Sequence, residues 1–197
     1  MISGIKGLAA ALLAAVLLYG MQRTTPLYSD ITSPVPVAGR QGERLDTDAF
    51  AIGIAKVHLA REVTTKSLGG TRTYTTSGVW VIVEAAAEAK HESLTLTSAA
   101  WLGPHGKRYA MSQRFSIVPG TLGNERLEPG IPRPLLMAFE VPERELSGAR
   151  LLVSRSALTP LAQEARIKMT EVEPDDIRPA VVLGRGNRTL PWTLEAK

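Results

Sequence analysis

Three histidines, two pairs of neighbouring acids and two basic segments are the residues that chemistry could use in this 197-residue sequence. His58, His91 and His105 have no second His two or four positions away, so none begins a local metal motif. Asp46/Asp48 and Asp175/Asp176 offer the hard oxygens that calcium takes. Neither stretch has the further ligands and central Gly of an EF-hand loop, and both read as solvated turn acids. No Gly-x-Ser-x-Gly elbow is present. Gly184-x-Gly186 lacks the third Gly and the following helix of a dinucleotide site. Asn187-Arg188-Thr189 matches a glycosylation triplet, a pattern that short sequences produce by chance. There is no Cys, which excludes disulfides, thiolate zinc sites, iron–sulfur clusters and Cys nucleophiles. The expectation from these features is a binding protein rather than an enzyme, with no metal and no cofactor.

Two segments could bind a partner. One is a basic hairpin tip, Gly103-Pro104-His105-Gly106-Lys107-Arg108, with His105, Lys107 and Arg108 as its contacts. The other is the tail, with Arg178, Arg185, Arg188 and Trp192. Arg and Trp are favoured at binding hot spots. Trp192 could equally pack on the domain, because aromatics usually bury. A formal charge of +4 and a pI near 9.6 are mildly basic, and no run of five like charges occurs. Three Phe, three Trp and four Tyr are too few for the alternation of basic and stacking residues that single-stranded nucleic acid needs, so no nucleic-acid partner is expected.

The elements that must hold these residues begin with an apolar leader. Residues 7–21, GLAAALLAAVLLYGM, contain no charge, and Lys6 precedes them. Residues 2–21 together match a hydrocarbon core of about 30 Å if Lys6 snorkels to the headgroups. Leu18-Tyr19-Gly20 is a poor signal-peptidase site, so the segment reads as an uncleaved signal anchor. Lys6 and the amine on one side nearly balance Arg23 and Arg40 on the other. The long remainder, rather than the charge rule, argues for a single pass with the C-terminal domain on the extracytoplasmic side of the cytoplasmic membrane.

Residues 22–48, with Pro26, Pro34 and Pro36, read as an extended tether, part of which could lie along the domain as an edge strand. Residues 49–170 carry the period-two patterns of a β-sandwich. Phe50, Ile52 and Ile54 alternate, then Ala55, Val57 and Leu59 alternate in the opposite phase, which calls for a bulge near Ile54. Gly69-Gly70 signals a hairpin. Val79, Val81 and Val83 share one face, and Trp80 and Ile82 the other. Leu94/Leu96, Phe115/Ile117, Leu135/Met137/Phe139/Val141, Leu151/Val153 and Ile167/Met169 continue the pattern, with turns every ~8–12 residues. Residues 158–164 could hold one helical turn. Residues 171–197 form a C-terminal extension, with a loop at Pro174, a short strand over 181–183 and a turn at 184–187.

The order Gly78-Val79-Trp80-Val81-Ile82-Val83, Trp101-Leu102, Gly106-Lys107-Arg108-Tyr109, Pro129-Gly130, Ala138-Phe139-Glu140-Val141-Pro142 and Ala149-x-Leu151-x-Val153 resembles a bacterial immunoglobulin-like ectodomain family of unknown function. The resemblance covers roughly residues 43–169. It implies an all-β, immunoglobulin-like sandwich outside the cytoplasmic membrane, following a signal peptide, lipobox or membrane anchor, with no shared reaction. This chain lacks the lipobox Cys and adds the tail. The function expected is a membrane-anchored binding module for envelope proteins or polymers. The alternative is a structural accessory subunit of an envelope membrane complex such as an exporter, with Gly7, Ala10 and Ala14 allowing close helix contact.

Overall fold

The computed structural model describes residues 2–24, 33–67, 70–158, 161–170 and 172–196, and leaves the side chains of 2–6, 8, 9 and 67 aside. The chain divides into two compact units, Met1–Ser33 and Pro34–Lys197. The first contains helix α1 (Ile2–Thr24), rich in the helix formers Ala and Leu. Its described side chains, at 7 and 10–24, are all exposed, and apolar residues ring the axis without leaving a polar face. In its last turn the Tyr19 hydroxyl accepts from Arg23 Nε at 3.1 Å and Nη2 at 2.9 Å. Among the described residues, no helix is long and apolar enough to cross a membrane.

The second unit is a sandwich of two sheets. Its strands are β1 (Val35–Arg40), β2 (Arg44–Asp46), β3 (Phe50–Ser67), β4 (Gly70–Ala89), β5 (Leu94–Thr95), β6 (Ser98–Leu102) and β7 (Arg108–Ala110). They continue with β8 (Arg126–Leu127), β9 (Arg133–Val141), β10 (Arg150–Ser154), β11 (Gln163–Lys168), β12 (Arg178–Arg185) and β13 (Trp192–Ala196). The smaller sheet runs β1-β11-β10-β6-β7, and the larger β13-β12-β3-β4-β9 with β2 also on β3. β5 and β8 pair separately.

The phase change in β3 is resolved as the sequence requires. Its register against β4 slips between Ile54 and Lys56, so Ile52 and Ile54 before the bulge and Val57 and Leu59 after it all meet the inter-sheet core. A second slip, between Ala60 and Glu62, had no signal in the apolar pattern. Over Val79–Val83, β4 is buried on both faces. Val79, Val81 and Val83 pack with Leu135, Met137 and Phe139 of β9 and with Leu151 and Val153 of β10. Trp80 and Ile82 enter a second core with Phe115, Leu136, Val181, Leu183 and Trp192. That double burial explains the uninterrupted VWVIV run, since a strand covered on both sides has no solvent face to mark.

Three expectations are corrected. First, residues 22–48 are not simply a tether. α1 continues to Thr24, β1 pairs in parallel with β11 as an edge strand, and β2 pairs with β3; residues 25–32 lie outside the described residues. Second, the tail is no separate extension. β12 pairs in parallel with β3 from Arg178↔Ala60 to Leu183↔Thr65, and β13 closes antiparallel on β12. Third, Phe115 and Ile117 share no strand. Phe115 ends a 3₁₀ turn (Gln113–Phe115) and is buried, while Ile117 is 80% exposed. The hairpin signal at Gly69-Gly70 is half described: β3 and β4 pair down to Ser67↔Gly70, and Gly69 lies outside the described residues. No helical turn forms among the described residues of 158–164; Leu161 takes φ 58° there instead.

Candidate binding groove

The second core leaves a groove beside it, built by three segments far apart in sequence. One wall is the free end of β3 and β4, with Lys66 and Tyr74. The floor and opposite wall come from Leu183 and Arg185 of β12 and Thr193 and Glu195 of β13. The third side is Ile117-Val118-Pro119. The cavity measures about 760 Å³, within the usual range of about 300–1,000 Å³ for ligand sites.

Each wall is fixed locally. The 117–119 segment is pinned from both ends: Thr121 Oγ1 lies 3.0 Å from Phe115 O and 2.7 Å from Val118 O. Leu136 N of β9 donates to Gly120 O at 2.7 Å. Gly120 has φ 84°, and a Cβ there would lie 2.1 Å from the Trp192 ring, so only Gly permits this closure. The β12–β13 turn is tied by Gly186 N to Pro191 O at 2.9 Å and Asn187 N to Leu190 O at 2.8 Å. Asn187 Oδ1 also accepts from Thr189 N and Leu190 N, an Asx turn.

A polar triad links three strands of the larger sheet, β3, β4 and β13. Trp192 Nε1 donates to Glu84 Oε2 at 2.8 Å, and His58 Nε2 lies 2.7 Å from Glu84 Oε1. The Glu84 carboxyl is held below its ordinary value chiefly by the bond to His58, against the opposing effect of burial, with Trp192 assisting. Elsewhere, Asp46 is held low by Arg44 first and Lys90 second. Among the described residues, no three His, Asp or Glu side chains converge on a metal position.

The fold disperses the expected binding residues. Arg185 lines the groove, and Arg188 sits in the adjoining β12–β13 turn. Arg178 begins β12, at the far end of that strand. His105, Lys107 and Arg108 belong to the β6–β7 hairpin of the other sheet and take no part in the groove lining. Trp192 is 1% exposed in the second core, so it packs and is unavailable to a partner. The hairpin tip rests on a buried carboxylate. Glu145, 1% exposed, places Oε1 3.3 Å from His105 Nδ1. Its Oε2 has no hydrogen-bond partner among the described residues, and a Cβ on Gly103 would meet it at 2.0 Å. Lys66, Tyr74, Ile117, Thr193 and Glu195 were missed by sequence reasoning. Only the unpaired apolar Ile117 beside Pro119-Gly120 carried a local signal.

No family model matches the chain, and no curated protein does. Its fold is similar to a solved structure. The yjhA protein from Bacillus subtilis superposes with TM-score 0.51 at 13% identity, covering 67% of this chain and 99% of that one. An uncharacterized β-sandwich protein from Clostridium difficile 630 gives TM-score 0.44 at 15% identity, covering 70% of this chain and 97% of that one. At such identities the likeness speaks for the fold alone. The chain is a β-sandwich with one N-terminal helix, similar in fold to bacterial proteins.

Proposed function

We propose that this chain is a membrane-anchored, extracytoplasmic binding module of the immunoglobulin-like kind, which acts by holding a ligand in the groove and carries out no reaction of its own. The observation that carries the reading is the groove, about 760 Å³, with Tyr74, Val118, Pro119 and Leu183 among its lining.

The subtype is supported by connectivity. Strands β3-β4-β9 face β11-β10-β6, and the chain changes sheet between β4 and β6, β7 and β9, and β9 and β10. That matches strands A-B-E against G-F-C of immunoglobulin domains, with Trp101 buried on the strand in the C position. Where antibody domains join B to F by a disulfide, Val81 and Val83 share a core with Leu151 and Val153. The anchor reading rests on the sequence, in which no charge falls between residues 7 and 21 and Lys6 precedes them.

The test is native mass spectrometry of the full chain taken from its own membranes, compared with Thr193→Trp, which fills the groove from an exposed position. A bound species is expected on the natural chain and absent from the variant, with thermal melting of the variant unchanged. The same bound mass on both proteins, or none on the natural one, would end the proposal.

A further inference from the structure

We infer that the end of the sandwich where β1 begins rests on the lipid surface, with Leu158 and Leu161 entering the interface; this depends on the anchored reading above. Outside α1, the large apolar side chains left exposed among the described residues are Val35, Ile117, Ile131, Leu158, Leu161 and Leu190. Ile117 lines the groove, and Leu190 lies in the β12–β13 turn. The other four gather at one end of the sandwich. Leu158 and Leu161, 89% and 63% exposed, belong to the β10–β11 connection. Val35 N donates to Ala162 O at 2.9 Å, beside Leu161. Asp48 N donates to Gln163 Oε1 at 2.9 Å, which brings the start of β3 to the same end. Phe50 there pairs with Ala89, where β4 finishes, and Gly130 N, next to Ile131, donates to Ala89 O at 3.3 Å.

Single exposed apolar residues are ordinary on a surface in water, whereas a concentration of them at one end marks an interaction site. Leu161 adds a backbone argument. Its φ of 58° is a left-handed conformation in which Gly or Asn is usual, so a leucine stands there against local preference. The occupant follows from the covalent chain. Residues 25–34 separate Thr24, the end of α1, from Val35, and at up to about 3.5 Å each they reach no more than about 35 Å. On the anchored reading, the end that carries the leucines is thus the end tethered to the bilayer. Three of its cations are matched within the protein: Arg155 with Glu92 at 3.3 Å, Lys90 with Asp46 at 3.3 Å and Arg126 with Glu128 at 3.2 Å. That arrangement supports contact by apolar insertion rather than by attraction to anionic headgroups, so zwitterionic lipid suffices.

The test uses the full chain, which has no Cys of its own, as Leu13→Cys, Lys107→Cys or Leu158→Cys, all at exposed positions. Each is labelled with the fluorophore NBD and placed in phosphatidylcholine vesicles whose acyl chains carry nitroxide quenchers. Labels at positions 13 and 158 are expected to lose about half of their emission or more, as groups buried in the acyl boundary do. The label at position 107, in the β6–β7 hairpin at the opposite end, should keep its emission. Leu161→Asp with Ile131→Asp, both at exposed positions, should relieve the quenching at position 158 and leave that at position 13 unchanged. Quenching at position 158 no greater than at position 107 overturns the inference and assigns the leucines to something other than lipid; the anchor still stands if position 13 is quenched. Quenching at position 158 that survives the double change belongs to the label and also overturns the inference. No quenching at position 13 overturns the anchored reading, and the inference with it.

Discussion

Glu84 receives two hydrogen bonds from opposite ends of the chain, one from His58 on β3 and one from Trp192 on β13. Its carboxyl is lowered from the ordinary 4.5, first by His58. A depressed carboxyl in the folded state means that ionisation favours folding. That contribution is complete above about 4.5 and is lost as pH falls through the lower folded value. Urea unfolding followed from about pH 6 to about pH 3 should therefore show the natural chain losing more stability than Glu84→Gln. Parallel losses in the two proteins would mean that the triad contributes nothing to acid sensitivity. Gly120 gives a second residue-scale expectation. Ala there would need positive φ and would meet the Trp192 ring. Gly120→Ala should cost more than about 1 kcal/mol and shift the tryptophan fluorescence, whereas Gly123→Ala, with open space around its Cβ position, should do neither.

At the scale of elements, the C-terminal hairpin is an integral part of the larger sheet. Trp192 is fully enclosed, so Trp192→Ala should lower stability by about 3–5 kcal/mol in chemical denaturation; a loss under about 1 kcal/mol would return β12 and β13 to the status of an appendage. Local pattern revealed β3, β4 and β9 because their alternation is set by the inter-sheet core, and even the bulge near Ile54 was legible as a change of phase. The role of the tail was not legible. Val181, Val182 and Leu183 read as a short apolar run, and nothing in such a run says that it pairs in parallel with a strand about 120 residues earlier. The groove was hidden for the same reason. Its walls come from residues 65–74, 117–119 and 182–195, and only Arg185 among the expected contacts lines it. Trp192 illustrates how composition misleads: an Arg- and Trp-bearing segment resembles a hot spot, yet its indole serves the core while its arginines stay outside.

For the whole molecule, the two units pose different solvation problems. The sandwich buries its large aromatics and spreads charge over its surface, as a domain in water must. α1 does the reverse: Leu12, Leu13, Val16, Leu17 and Leu18 are each more than half exposed, with no polar face to turn outward. In water, such a helix would leave several apolar side chains uncovered, at roughly 1.5–3 kcal/mol for each that could be buried instead. Under the proposed anchoring, lipid would remove that cost. If α1 is the anchor, the chain should stay with membranes through alkaline carbonate washing, and external protease on spheroplasts should digest the sandwich. Changing Leu13 and Leu17 to Lys should release it, since a charge at mid-span costs about 2.5–3.5 kcal/mol. Release of the natural chain by carbonate, or a sandwich protected until the membrane is broken, would contradict the single-pass arrangement and with it the extracytoplasmic setting in which the groove is proposed to work.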